Sequence, residues 1–240
     1  VWILRSLLVV PFAFMAPEVG RAIAGRPGAV ANVSASTADV LGTSSFVAFV
    51  LMLAVTPVHT VTGWRWHLVL RRDFGIGMFA IALADLVLAA VTTGDTFAGG
   101  LLARVEGRAL LAFGTAAVVL CVPLVLTANR RAQRWLGPHW KRLHRVTYLV
   151  WALIGLHLLA LFGLRSFFLD AVVVSVPLVF LRVPPVRRWW SRSRRAGTWR
   201  LARGVGAAAC LTVFLVGFVP FVRELALVGP AAFSGHPILD

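Results

Sequence analysis

Charge is scarce in this chain, and negative charge is scarcer still. Only 14% of its 240 residues are charged, where a soluble domain carries roughly 25%. Asp and Glu together number 9, against 24 Lys and Arg, while 59% of the chain is apolar. One water-soluble core cannot bury that much apolar surface, so the expected solvent is a lipid bilayer. Lysine is nearly absent: Lys141 is the only one, so the net charge of +15 is almost all arginine. In a soluble protein this excess would point to nucleic acid. Here the arginines fall in short loops between apolar runs, which reads as a topology signal and argues against a nucleic-acid partner. Cysteine is limited to Cys121 and Cys210, both inside apolar runs and neither in a CxxC. Both read as small packing residues and say nothing of redox compartment. No GxGxxG follows a strand, so no flavin- or nicotinamide-binding domain is expected after the helices. No internal repeat is visible. Asn32-Val33-Ser34 matches a glycosylation sequon, a pattern frequent by chance.

What the chain does have is a series of apolar runs of spanning length, roughly 20 residues each. They lie near 1–17, 41–59, 74–92, 109–128, 146–164, 167–182 and 204–222. The sixth is short and contains Pro177. Backbone polar groups in lipid must be satisfied within the segment, so each run is expected as a helix. The fold class is therefore all-α, a polytopic membrane bundle of about seven helices. The first run lacks a small-residue cleavage site and reads as a retained helix. Orientation follows from arginine. Residues 60–73, 129–145 and 182–203 hold 17 of the 24 positive charges and alternate with loops that hold few. They are expected in the cytoplasm, with the N-terminus inside, the C-terminus outside and the chain in the plasma (inner) membrane. Trp135, Trp140, Trp189, Trp190 and Trp199 lie among these charges, as an interfacial aromatic belt does. The domain plan is a first helix and outer loop (1–40), a core (41–182), a basic linker (183–203), and a further helix with an outer tail (204–240). The linker reads equally as an interfacial segment on anionic lipid or as a solvated stop-transfer loop.

Histidine inside a membrane helix is costly and usually functional. His144 stands at the mouth of the run 146–164 and His157 deep within it. On an ideal helix they are about 19.5 Å apart along the axis and about 140° apart around it, so they cannot bind one iron atom. Neutral imidazole is a natural axial ligand of buried b-type haem. The plain alternatives are an interfacial hydrogen bond for His144 and a helix–helix hydrogen bond for His157. His59 and His67 precede the third run and could reach the level of His144; the alternative for both is an exposed loop position. His139 reads as interfacial, and His236 lies in the tail.

The stretch "LGPHWKRLHRVTYLVWALIGLH" resembles the histidine-bearing helix of the ferric reductase-like transmembrane domain, and most closely the haem-binding membrane subunits of periplasmic methionine sulfoxide reductase systems. The matching positions are Leu136, Gly137, Trp140, Leu143, His144, Tyr148 and His157. A second region matches at Thr56, Pro57, Arg71, Arg72 and Gly75. The resemblance covers about residues 40–182. It implies haem b as cofactor, one or two groups, with His144 and His157 as iron ligands. FMN or a quinone is a further candidate cofactor. In that family a third-helix histidine faces His157 across the haem; here Asp85 occupies its position. Asp85 could orient His157, form a proton-linked site, or mark a lost haem. The implied function is transmembrane electron transfer, as an oxidoreductase subunit if haem is bound. Electrons would come from a separate cytoplasmic flavin protein or quinol and pass to an outer acceptor or reductase subunit. Alternatives are a haem-free scaffold with the same fold, or a proton-coupled carrier using Asp85.

Overall fold

The computed structural model describes residues 2–6, 8–25, 37–93, 112–162, 164 and 166–196, and no strand occurs among them. The helices are α1 (Trp2–Ser6), α2 (Val10–Ile23), α3 (Thr43–Thr62), α4 (Leu70–Thr93), α5 (Ala112–Leu126), α6 (Arg130–Leu136), α7 (Pro138–Leu143), α8 (Val146–Phe162), α9 (Ser166–Phe180) and α10 (Pro184–Ala196). A π-helical turn, Thr37–Gly42, leads into α3, and a 3-10 turn, Trp66–Val69, leads into α4.

Three stretches are long and apolar enough to cross a membrane: Val40–Thr62, Trp66–Val91 and Pro138–Leu161. Helices α5 and α6 form a fourth only if taken together, and they are bent by 90°. The expected count of seven thus stands at three or four among the described residues. The last expected run, 204–222, lies outside them, as do Cys210, Trp199, the sequon and the tail.

Two expected boundaries move for local reasons. The first run is broken: α1 ends in a turn, and α2 restarts with Pro11 in its first turn and continues to Ile23. Proline suits that position because the first N–H groups of a helix are unpaired anyway. The basic stretch 129–145 is not an open loop. The Asn129 side chain accepts a hydrogen bond from the Ala132 N–H at 2.8 Å, which caps α6. Helix α7 follows after Gly137.

Helix α3 packs on α4, and α5 packs on α8. Phe49, Leu53 and Val150 are buried at the centre, surrounded by Phe74, Met78 and Leu124. Val119, Val122 and Leu126 on α5, and Leu149, Leu156 and Leu161 on α8, face outward. An outer surface this apolar suits lipid contact. At the end of the bundle that bears the arginines, Arg5 pairs with Asp73 at 2.7 Å, which ties α1 to the start of α4.

Pro57 sits inside α3 and has no N–H to offer the Leu53 carbonyl four residues back. Arg182, just past α9, fills the gap: its Nε donates to Leu53 O at 3.2 Å and its Nη2 to Met52 O at 3.0 Å.

Candidate cofactor site

Two cavities are stacked along the bundle. The first, about 270 Å³, is lined by Asp85 of α4, Gly114 and Thr115 of α5, and His157 of α8, among mostly apolar neighbours. The second, about 280 Å³, lies toward the arginine-bearing end and is lined by Arg71, Arg72, Arg130, Trp140 and His144. Met78, Cys121 and Val150 line both and form the layer between them. We call them the outer and the inner cavity.

In the outer cavity, the glycine at position 114 makes room for the histidine. A Cβ added there would lie 2.8 Å from both Cε1 and Nδ1 of His157, closer than real Cβ contacts come. The imidazole therefore rests directly on the backbone of α5. Asp85 comes to the same cavity from a different helix, so the sequence-predicted pair His157 and Asp85 is brought together in one space.

His144 is held differently. The Thr127 hydroxyl donates its one proton to Pro123 O at 2.6 Å, so it can only accept from His144 Nε2, 3.2 Å away. This assigns the ring proton to Nε2. Trp140 packs its ring 4.1 Å from the imidazole centroid and donates its Nε1–H to Thr127 O at 3.0 Å. His144 is thus tied to the end of α5.

The other two candidate histidines line neither cavity. His67 is buried, not an exposed loop residue, and its Nε2 bonds Val55 O at 3.0 Å. His59 bonds Trp64 O through Nδ1 at 2.6 Å, at the end of α3, where Gly63 adopts the left-handed conformation that closes the helix.

These donors can be matched against the haem that the motif implies. Among the described residues no three His, Cys, Asp or Glu side chains converge to chelate a bare metal ion. Haem needs no such cluster, because its four pyrrole nitrogens already hold the iron. The outer cavity offers one imidazole beside open space, which fits a haem held by a single histidine. The inner cavity offers His144 with Nε2 protonated and engaged, so a haem there requires the ring to leave Thr127. Among the described residues, neither cavity has two imidazoles on its walls.

Gly114, the Thr127–Trp140 clamp and the Met78–Cys121–Val150 layer were not singled out from sequence. A glycine or threonine in an apolar run carries no signal of which neighbour it meets.

Comparison with known proteins agrees with this architecture. The family described as ferric reductase like transmembrane component matches residues 24–155. The magnetosome protein MamZ of Paramagnetospirillum magneticum (strain ATCC 700264 / AMB-1) is 30% identical over 154 residues, which are 61% of this chain and 23% of MamZ. The chain thus spans under a quarter of the length of that relative. No solved structure matches. With over half its length matched and an apolar helical bundle to carry it, the chain belongs to the ferric reductase-like transmembrane component family.

Proposed function

We propose that this chain is a haem-b electron-transfer protein of the plasma membrane, with His157 as the iron ligand in the outer cavity. The family suggests transmembrane electron transfer. The observation that carries the finer reading is the placement of His157 against Gly114 beside an open cavity, on the helix where the motif lies. Haem would supply the one-electron redox step. The chain's own residues supply the rest. His157 positions the iron, and Gly114 leaves its ring the necessary space. The mostly apolar walls keep water out, and Asp85 is the acidic group at the site. His144 is the second candidate ligand and serves one only after giving up its bond to Thr127. Arg71, Arg72 and Arg130 make the inner cavity cationic, suited to an anionic or polar electron donor such as a flavin phosphate, or to a quinol bound at the same level. Electrons would then leave toward an outer acceptor or reductase subunit.

A second reading is a haem-free scaffold, favoured by Asp85 at the family's ligand position and by the clamp on His144. One measurement separates the two. The purified, dithionite-reduced protein is expected to show sharp Soret and alpha bands, and His157→Ala to lose them while still inserting. A protein without a haem spectrum after expression with ample haem would leave the scaffold reading.

A further inference from the structure

The outer cavity departs from a site with an imidazole on each side of the iron. Among the described residues that line it, His157 is the only imidazole, and Asp85 supplies a carboxyl. We infer that a haem held by His157 has its sixth coordination position available, and that this site binds small neutral diatomic molecules, with Asp85 as the polar group beside them. The inference rests on the haem reading above.

Three arguments support it. Carboxylate is a hard oxygen donor and competes poorly with imidazole for ferrous haem iron. The cavity's soft donors stand at another level. Met78 precedes Asp85 on α4 by seven residues, and Cys121 follows Gly114 on α5 by seven, so each lies about 10.5 Å along its helix axis from the position that borders the histidine site. Axial ligands of one iron must approach far closer than that, so neither sulfur substitutes for the missing imidazole. The space is also suitable. Its walls include Phe46, Phe79 and Leu158, which favour entry of an apolar gas, while Asp85 and Thr115 add polar groups. The polarity and access of such a distal space decide whether a haem binds gases or only passes electrons.

The test uses the full chain in nanodiscs, with carbon monoxide as the probe. The wild type is expected to show a high-spin ferric spectrum and, when reduced, a saturable Soret shift with carbon monoxide. Asp85→His is expected to give a low-spin spectrum and to weaken carbon monoxide binding at least about tenfold, because an imidazole then fills the vacant side. Asp85→Asn, a smaller change that keeps the site open, is expected to retain binding and to shift the infrared stretch of the bound probe. Three results would overturn the inference and leave the haem reading standing: a wild-type haem that is low-spin and inert to the probe, unchanged binding in Asp85→His, or an unmoved stretch in Asp85→Asn. Absence of haem from the wild type, or a probe-binding haem that survives His157→Ala, would sink both.

Discussion

Gly114 shows how much one missing methyl group can decide. The imidazole of His157 occupies the volume a side chain at 114 would claim, with 2.8 Å between the would-be Cβ and the ring. Alanine is a better helix former than glycine by about 1 kcal/mol. Gly114→Ala should therefore favour the helix locally while pushing the ring out of place, and overpacking of this kind costs about 1–3 kcal/mol. The expected outcome is a protein that inserts normally and retains less haem per chain, read by pyridine haemochrome assay. Unchanged haem content would show that the ring's rest on α5 is incidental to the site. At the same scale, Thr127 fixes the tautomer of His144 and Trp140 packs against its ring, while His157 on the same helix borders the other cavity.

The element scale brings Pro57 and Arg182 together across 125 residues of sequence. A proline inside α3 leaves a carbonyl that lipid cannot satisfy, and a buried guanidinium from beyond α9 supplies the donors. Arg182→Met should cost about 1.5–3 kcal/mol, the usual worth of a hydrogen bond to a charged group. In a Pro57→Ala background the residue at 57 regains its N–H and can bond Leu53 O itself. The loss on removing Arg182 should then be smaller, with a coupling of about 0.5–3 kcal/mol. Thermal unfolding of the four proteins in one detergent measures it. Strictly additive losses would mean that Arg182 acts elsewhere, for instance on Tyr148 or Arg71. The Thr-Pro pair is visible in the sequence as part of a motif; its partner reads there only as one charge of the topology signal at 182–203.

For the whole molecule, the alternation of basic and non-basic connections sets the expected topology. The contacts are consistent with it: Arg5 meets Asp73, and His144 meets Thr127, each joining elements assigned to one end of the bundle. Reporter fusions after Gly63 and Ala128 should report the cytoplasmic side, and one after Leu164 the opposite side. Matching signals at Ala128 and Leu164 would show that α8 does not cross. The 90° bend between α5 and α6 adds a finer expectation, since it lets α6 lie along the membrane surface with Arg131, Arg134 and Trp135 exposed.

The sequence by itself determined the solvent, the helical class, the orientation signal and the helix that carries the histidines. Each of these depends on how many residues of one kind stand in a row, or on a local motif. It also marked Asp85 as the departure from the family pattern. Only the tertiary structure decided that Asp85 and His157 border one cavity, that His144 turns to Thr127, that His67 is buried on Val55 O, and that Arg182 completes α3. The physical reason lies in the bilayer. In water, a helix shows which side is core by the period of its apolar residues. In lipid every side is apolar, so hydropathy says that α5 and α8 cross the membrane or approach doing so, but not which of their faces meet. That choice falls to a glycine where a ring must fit and to a polar group where a carbonyl needs a donor, and neither has a periodic signature.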